Sequence, residues 1–398
     1  SWFEHDMMNI LVVLNLGSYM MMLMFFTYAC IIADTRKSRL AVLFQIVLPS
    51  KCSNLSKKIL GEGIFNFLTG SEDRFLNWLY ICIVFSSWII IFVYTYPWID
   101  ATHGYIPSYH KFLGYWTFLS CVASWRLAAT KSPGIITAQT IEKYDNYPYD
   151  GNLYIRGRTC PTVGIPKIAR SKFDRITGVH VAKFDHFCGW LGNTIGEENY
   201  RWFLLFLLIH TIMLCYGTVI VVALFKYEIE KNQLWDMMYI DGFTGEQRKA
   251  TSFIVFQYLF LRHRLHMALL FMFAALSIVL FGFLLFHIWI TSRGMTTNEA
   301  FKWKKIRKSY RLQLLQYEAQ IEKRRLMKNA QPNDIGGSAK DVANVETNEV
   351  NHPGPMPQNI YNDGILSNWT DVFFPRSISV RVSENQLFHL KTNEEKQL

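Results

Sequence analysis

Long apolar runs alternate with polar, basic stretches along this chain. The first run covers about residues 7–33. It is long enough to cross a hydrocarbon core of ~30 Å and is not followed by the small-residue cleavage site of a short signal, so it reads as an anchor. The loop behind it carries Arg36, Lys37, Arg39, Lys51, Lys57, Lys58 and Arg74, and its apolar stretch Leu40–Leu48 is short enough to lie at the interface rather than cross. A second span is expected over 75–98, ending in the aromatic belt Tyr94, Tyr96 and Trp98. A third, weaker span covers 112–128, with Arg126 snorkelling at its end. Residues 129–201 form a polar insert rich in Lys and Arg. The fourth span is expected over 202–225 and the fifth over 265–290; Thr251–Leu261 between them is apolar but too short to cross. Basic residues crowd the 34–74 loop, the insert and the tail, whereas 99–110 is nearly free of them, which puts the first three in the cytosol.

Beyond the last span, 297–329 has helical composition, with Trp303, Ile306, Tyr310 and Leu314 forming one apolar stripe on a basic helix. Two readings stand side by side: a solvated helix, or a surface helix on anionic headgroups. Residues 330–358 are rich in Asn, Pro and Gly and are expected to be disordered, as is the final stretch. Ile365–Val380, with Trp369, Phe373 and Phe374, is apolar enough to dock back on the membrane region. The sequons at Asn54 and Asn368 would face the cytosol and stay unmodified. The expected architecture is an all-α polytopic membrane protein of about five spans: a membrane region over 1–128, a small irregular cytosolic domain over 129–201, a second membrane region over 202–292, and a partly disordered cytosolic tail over 293–398.

Composition fits this picture. Of 398 residues, 51% are hydrophobic and 16% aromatic, and the formal charge is +10. Basic residues confined to loops beside spans point to anionic lipid rather than nucleic acid, and no glycine-rich phosphate cradle is present. The seven cysteines (30, 52, 82, 121, 160, 188, 215) are scattered, several within apolar runs, and do not form a disulfide framework, in keeping with a reducing working face.

Chemistry concentrates in 160–203, around Asp185-His186-Phe187-Cys188. A Cys beside a His-Asp pair at a membrane surface suits thiol chemistry, although a lone Cys near a His is more often ordinary packing. The spacing resembles that of the DHHC protein S-acyltransferases (palmitoyltransferases), whose cysteine-rich domain runs C-x2-C-x9-H-C-x2-C-x2-C-x4-D-H-H-C-x5-C behind a basic stretch. Cys160 falls on the first Cys; Lys167, Arg170, Ser171 and Lys172 fall on the basic stretch; and Asp185, His186 and Cys188 fall on D, H and C. Trp190, Asn193, Gly196, Asn199 and Phe203 follow the same frame. Thr296-Thr297-Asn298-Glu299 matches the family's TTxE motif, Ser132-Pro133-Gly134 matches its DPG motif except at the first residue, and Asn359, Tyr361, Gly364 and Asn368 match its C-terminal motif. The YPYD run at 147–150 and Cys188-Gly189-Trp190 look most like the branch with certain plant members and animal DHHC type 4.

The resemblance implies two structural zinc ions on eight Cys and His positions, and this chain departs from it there. Those positions hold Cys160, Val163, Phe173, Asp174, Thr177, His180, Phe187 and Thr194. The first site would keep only Cys160 and His180, and the second only Asp174, whereas a structural zinc takes four ligands. Zinc is therefore expected to be absent. Val163, Phe173 and Phe187 would supply apolar burial in its place, and Asp174, Thr177 and Thr194 would hydrogen-bond the loops.

The resemblance further implies transfer of a fatty acyl group from acyl-CoA to the cysteine of a membrane-associated protein. Cys188 would be the nucleophile, His186 its general base, and Asp185 the residue that orients His186. The spans would form the acyl pocket, and Arg170, Lys172 and Lys183 are candidates for the CoA phosphates, with a headgroup-facing charged surface as the plainer alternative. The family places such proteins in endomembranes, Golgi or endoplasmic reticulum, with a cytosolic active face. Two other classes remain: a non-catalytic membrane adaptor on the same fold, which the lost zinc ligands favour, and a channel or transporter. Against the last, no span carries paired Asp, Glu or Lys at mid-depth.

Overall fold

The computed structural model describes residues 75–241, 244–329 and 352–378, with Lys58. The expected first span, the Leu40–Leu48 segment, Asn54 and most of the expected disordered stretches lie outside the described residues. Elements follow in the order α1 (Phe75–Ile90), a π-helical turn (Ile91–Thr95), α2 (Tyr96–Asp100), α3 (Tyr109–Thr130), β1 (Ile135–Ile136), α4 (Ile141–Tyr144), β2 (Lys172–Asp174), β3 (Val179–Val181), β4 (His186–Cys188), β5 (Asn193–Ile195), α5 (Tyr200–Lys231), β6 (Met238–Ile240), β7 (Gln247–Lys249), α6 (Ser252–Arg262), α7 (Arg264–Ser292), α8 (Thr297–Asn329) and α9 (Ile365–Phe373). The backbone divides into two compact units.

One unit holds the described residues up to Lys131, Phe187–Thr194 and Arg201–Leu285. Among the described residues, three helices are long and apolar enough to cross a membrane: Leu76–Asp100, Tyr200–Lys231 and Arg264–Ser292. They correspond to the second, fourth and fifth expected spans. The third expected span is the 22-residue helix α3, whose Thr117, Ser120, Ser124 and Arg126 leave it less apolar than the others. Pro97 explains the π turn ahead of it. Proline cannot donate to the carbonyl four residues back and its ring crowds that carbonyl, so the ladder opens just there. Thr251–Leu261 forms the short helix α6, capped by the Thr251 hydroxyl and ended at His263, as its length requires. Histidines within the spans have hydroxyl partners: Tyr80 Oη lies 2.6 Å from His210 Nε2 and Thr95 Oγ1 3.2 Å from His266 Nε2. Leu214, Leu269 and Phe273 make the apolar seam.

The other unit gathers Ser132–His186, Ile195–Tyr200 and the described residues from Phe286 onward, so insert and tail residues share one body. Its sheet has the order β1-β3-β2, antiparallel throughout, with Ile136 opposite His180 and Phe173 opposite His180 on the other side. Such short strands bury little by themselves, and three side-chain clusters complete the core. They are Ile136, Tyr144, Ile168 and Ala182; Tyr147, Tyr154, Ala169 and Tyr361; and Ile290, Met295 and Trp303. The YPYD run gains a role here. Asp150 Oδ1 accepts from the backbone amides of Asn152, Leu153 and Tyr154 at 2.7–3.1 Å, fixing the loop that delivers Tyr154 to the core.

Helix α8 has the bounds its composition predicts, and the stripe Trp303, Ile306, Tyr310 and Leu314 is its less exposed side, Trp303 being fully buried. The docking expected of 365–380 holds at Trp369, which donates to Ser292 Oγ at 3.1 Å, but not at Phe373 and Phe374, which are exposed. Phe373 instead stacks on the Trp369 ring at 5.8 Å.

Candidate active site

Asp185 is buried just ahead of β4, its amide donating to the Ile195 carbonyl at 2.9 Å. Three donors converge on its carboxylate. His186 Nδ1 lies 2.6 Å from Oδ2, Thr297 Oγ1 donates to Oδ2 at 2.8 Å, and the Thr297 backbone N–H donates to Oδ1 at 2.6 Å. Burial pushes the Asp185 pKa up; the hydrogen bond and charge of His186, with the Thr297 N–H, outweigh it and leave the carboxyl below its ordinary range. An ionised carboxylate only accepts, so His186 carries its proton on Nδ1 and presents Nε2 as the basic nitrogen.

The TTxE motif explains why Thr297 arrives there. Thr296 and Glu299 form a reciprocal capping box at the start of α8: the Glu299 N–H donates to Thr296 Oγ1 at 3.3 Å and the Thr296 N–H to Glu299 Oε2 at 3.0 Å. The next free amide of that helix end, on Thr297, is the one that meets Asp185, so a carboxylate sits at a helix N-terminus. Glu299 also holds Arg170 through Nε to Oε1 at 2.8 Å and Nη2 to Oε2 at 2.6 Å, and accepts from Tyr154 Oη at 3.2 Å. Arg170 lies over the Tyr361 ring at 4.4 Å and donates to the Gly294 carbonyl at 2.8 Å. Burial works against its charge, and Glu299 more than offsets it, so Arg170 holds its proton more firmly than a free arginine.

The end of α7 is closed by Gly294 at φ +63°, with the Met295 N–H returning to the Ile290 carbonyl at 3.0 Å. A side chain at Gly294 would strike the Tyr361 carbonyl. The C-terminal motif finishes the same helix end. Asn359 Nδ2 donates to the Arg293 carbonyl at 2.9 Å, Asn368 Nδ2 to the Ser292 carbonyl at 3.0 Å, and Tyr361 Oη to the Pro148 carbonyl at 2.9 Å. His287, on the last turns of α7, has its ring 6.0 Å from that of His186 and its Nδ1 3.0 Å from Tyr200 Oη, which also lies 3.0 Å from Thr291 Oγ1. Sequence reasoning missed His287 and Tyr200; a histidine within an apolar run was the available signal.

Strand β4 carries His186 and Cys188 at i and i+2, positions that strand geometry puts on one face. The chain passes between the two units at this strand, so Asp185 and His186 belong to one and Cys188 to the other. Cys188 is buried, its carbonyl accepting from Leu191 N–H at 3.2 Å, and Gly189 leaves room for Leu76 where a Cβ would come within 2.8 Å. Asn193 Nδ2 donates to the carbonyls of Ala128 (3.2 Å) and Lys131 (2.9 Å), capping the end of α3. Trp190 is half-buried. Asn199 Oδ1 accepts from the Gly196 N–H at 2.9 Å, and Phe203 packs edge-on to Phe283.

Of the three basic candidates, Arg170 and Lys183 are committed elsewhere. Lys183 Nζ lies 2.5 Å from Asp371 Oδ2, which together with its other oxygen also takes Tyr147 and Arg376. Neither cation is placed to meet a solvent-borne phosphate. Lys172 is exposed, over the Phe184 ring. Lys302 was missed: it is half-buried over the Tyr154 ring, and burial, with help from Lys167 and Lys172 and against the pull of Glu299, depresses its pKa. Asp371 and Arg376 were missed as well.

The positions that hold zinc in the family do not fit it here. Among the described residues no three His, Cys, Asp or Glu side chains gather. His180 Nε2 lies 2.9 Å from Ser171 Oγ, and burial first, then Lys167, lowers its pKa to about 4. Asp174 Oδ2 accepts from Thr177 Oγ1 at 2.9 Å and its Oδ1 from the Ile176 N–H at 3.2 Å, so two of the substituted positions hydrogen-bond each other. The Cys160 loop closes on backbone bonds to Ile165 and Gly164. Val163 departs from the expected apolar replacement: it is 42% exposed at the tip of that loop.

Residues 154–304 match the family model described as DHHC palmitoyltransferase. Among curated proteins, Palmitoyltransferase SWF1 of Yarrowia lipolytica is 30% identical over 222 residues, 52% of this chain and 52% of its own length. Palmitoyltransferase SWF1 of Neurospora crassa is 28% identical over 296 residues, 72% of this chain and 68% of its own. Palmitoyltransferase ZDHHC4 of Bos taurus is 31% identical over 195 residues, 49% and 57% respectively. The chain thus spans about half to two thirds of the length of these relatives.

Proposed function

With a DHHC palmitoyltransferase-family domain over residues 154–304, this chain is a DHHC-family relative, and we propose that it is a protein-cysteine S-acyltransferase working through an acyl-enzyme on Cys188. His186 Nε2 takes the Cys188 proton, and the thiolate attacks the thioester carbonyl of an acyl-CoA. The carbon–sulfur bond to CoA then breaks, and the departing thiolate receives the proton from His186. A cysteine thiol of a membrane-associated protein gives its proton to His186 and attacks the Cys188 thioester, returning the enzyme thiol. Both steps exchange one thioester for another, so catalysis is a matter of thiolate supply and placement.

The observation that carries this reading is the carboxylate of Asp185, held ionised by Thr297 and bonded to His186 Nδ1. It fixes the tautomer that leaves Nε2 basic and stabilises the imidazolium formed in each half-reaction. Phe187 replaces a family metal ligand, not the base, so the catalytic set is complete. The CoA phosphates are assigned to Lys167, Lys172 and Lys302, three cations close enough that, after burial and against the pull of Glu299 and Asp150, the first two depress the Lys302 pKa. The active face is assigned to the cytosol on the distribution of basic loops, and the membrane to an endomembrane on the resemblance to the family.

The test is autoacylation of the purified chain with a labelled acyl-CoA, beside Cys188→Ser and His186→Ala. Hydroxylamine-labile label that vanishes in Cys188→Ser and falls steeply in His186→Ala is the expected result. Folded protein that takes no label, with donor and detergent controls sound, would replace the enzyme by the non-catalytic adaptor.

A further inference from the structure

The first turns of α8 and the last turns of α7 enclose an open groove of about 480 Å³. Its floor is aromatic, from Phe286 and Trp289 on α7 and Phe301 and Trp303 on α8, and its rim is Lys304, Arg307, Lys308 and Arg311. The four cations stand at i, i+3, i+4 and i+7, one face of the helix. From Ala300 to Tyr317 the chain carries six Lys and Arg and no Asp or Glu. Among the described residues none of the four rim cations is in an ion pair, and all four are exposed. Phe301 remains 60% exposed, an apolar ring left open beside uncompensated positive charge.

The place of the groove says what covers it. It straddles the end of α7, where an apolar span gives way to a basic helix. A second feature independently puts a bilayer surface at this level. Helix α9 is bound to that same helix end through Asn368 and Trp369 on Ser292, and it turns Ile365, Leu366, Phe373 and Phe374 outward, Leu366 being 84% exposed. An amphipathic helix with its apolar side uncovered, next to the end of a span, lies in the membrane interface.

We propose that this groove is a binding site for a single anionic glycerophospholipid, one whose headgroup bears more than one negative charge. The phosphates meet the guanidinium forks of Arg307 and Arg311, with Lys304 and Lys308 flanking them, and an acyl chain lies along Phe286, Trp289 and Phe301. The volume is that of a site for a discrete ligand, and the aromatic floor distinguishes it from the diffuse attraction any basic helix has for an acidic membrane. The site does not depend on acyl transfer and is the same in Cys188→Ser protein.

The test is native mass spectrometry of the chain released from nanodiscs of phosphatidylcholine containing a small fraction of phosphatidylinositol 4-phosphate. Wild type is expected to retain one such lipid. The Lys304→Gln/Arg307→Gln/Lys308→Gln/Arg311→Gln variant is expected to retain at least about tenfold less. Lys323→Gln/Arg324→Gln/Arg325→Gln, farther along α8, removes nearly as much charge and is expected to keep the lipid. The substituted side chains are exposed apart from the half-buried Arg324, and melting temperature checks that both variants fold. Equal loss in the two variants means diffuse attraction only and overturns the site, as does wild type that retains no more phosphoinositide than phosphatidylcholine. Displacement of the lipid by free CoA would assign the groove to the acyl donor and overturn it as well.

Discussion

Glu299→Gln is the sharpest perturbation of the site's support. Glu299 and Arg170 are both buried, joined by two charge-assisted hydrogen bonds at 2.6 and 2.8 Å. Gln keeps the size of the side chain and one oxygen for the Thr296 N–H, but leaves the guanidinium as an uncompensated buried charge. Breaking such a pair from one side costs about 3–5 kcal/mol, and weakening the capping box adds up to ~1 kcal/mol. At roughly 2–4 °C per kcal/mol for a body of this size, the melting temperature in detergent should fall by roughly 6–24 °C. The second substitution decides whether the charge is the cause. Arg170→Met/Glu299→Gln removes the stranded cation and keeps the cap, so it should recover more than half of the loss, because replacing both members of a buried pair costs far less than removing one. Autoacylation should follow the same order, since the capped start of α8 is what delivers the Thr297 N–H to Asp185. A Glu299→Gln protein that melts like wild type, or a double variant as unstable as the sum of its parts, would refute the reasoning.

Three further outcomes follow from the site. Thr297→Val deletes the hydroxyl bond to Asp185 Oδ2 and leaves the backbone one; the lost bond to a charged acceptor, worth about 1.5–3 kcal/mol, should lower the melting temperature by roughly 3–12 °C and slow autoacylation by roughly 10–100-fold. His180 is neutral in the fold with a pKa near 4, below its unfolded value, so the folded state resists a proton that the unfolded chain accepts. Its contribution is complete above about pH 6.5 and is lost as pH falls toward 4; melting temperature should drop across that window, and His180→Gln should flatten the drop. Chelators should leave melting temperature and autoacylation unchanged, because Asp174 and Thr177 hydrogen-bond each other, His180 meets Ser171, and no three ligating side chains gather among the described residues; a chelator-induced collapse would show that a metal is held after all.

Much of this was legible in the sequence because it is local. Length and apolar character are enough for the helices Leu76–Asp100, Tyr200–Lys231 and Arg264–Ser292, and an i, i+3, i+4 stripe is enough for α8. The Thr296-x-x-Glu299 box is a four-residue signal of a helix start. What stayed hidden is long-range pairing of charges. Arg170 and Lys183 read as free cations since their partners, Glu299 and Asp371, lie 129 and 188 residues away. His287 was hidden for the same reason, as its partners Tyr200 and His186 come from other parts of the chain. The exposure of Val163 could not be read from residue type, because whether an apolar residue at a loop tip is covered depends on the path of the loop.

Among the described residues no three metal-ligating side chains gather, so the other interactions that hold this unit can be weighed against what a metal would supply. A structural zinc can contribute roughly 10 kcal/mol or more to a small domain, and no buried ion pair makes up that amount, since desolvation consumes most of its attraction. Apolar burial is the larger source: Tyr147, Tyr154, Ile168, Tyr361 and Trp303 are each almost wholly buried, and fully burying a large side chain is worth about 1.5–3 kcal/mol. Two of those tyrosines stack with Arg170, at 5.1 Å for Tyr147 and 4.4 Å for Tyr361, so the core is built around the cation that anchors Glu299. On this view the aromatic cluster supplies stability and the ion pairs supply direction, orienting the start of α8 toward Asp185. Tyr361 lies beyond the insert, in the tail, and caps the Pro148 carbonyl from there. The insert thus leans on the tail, and removal of residues 352–378 should unfold it rather than merely loosen it, read as loss of its melting transition.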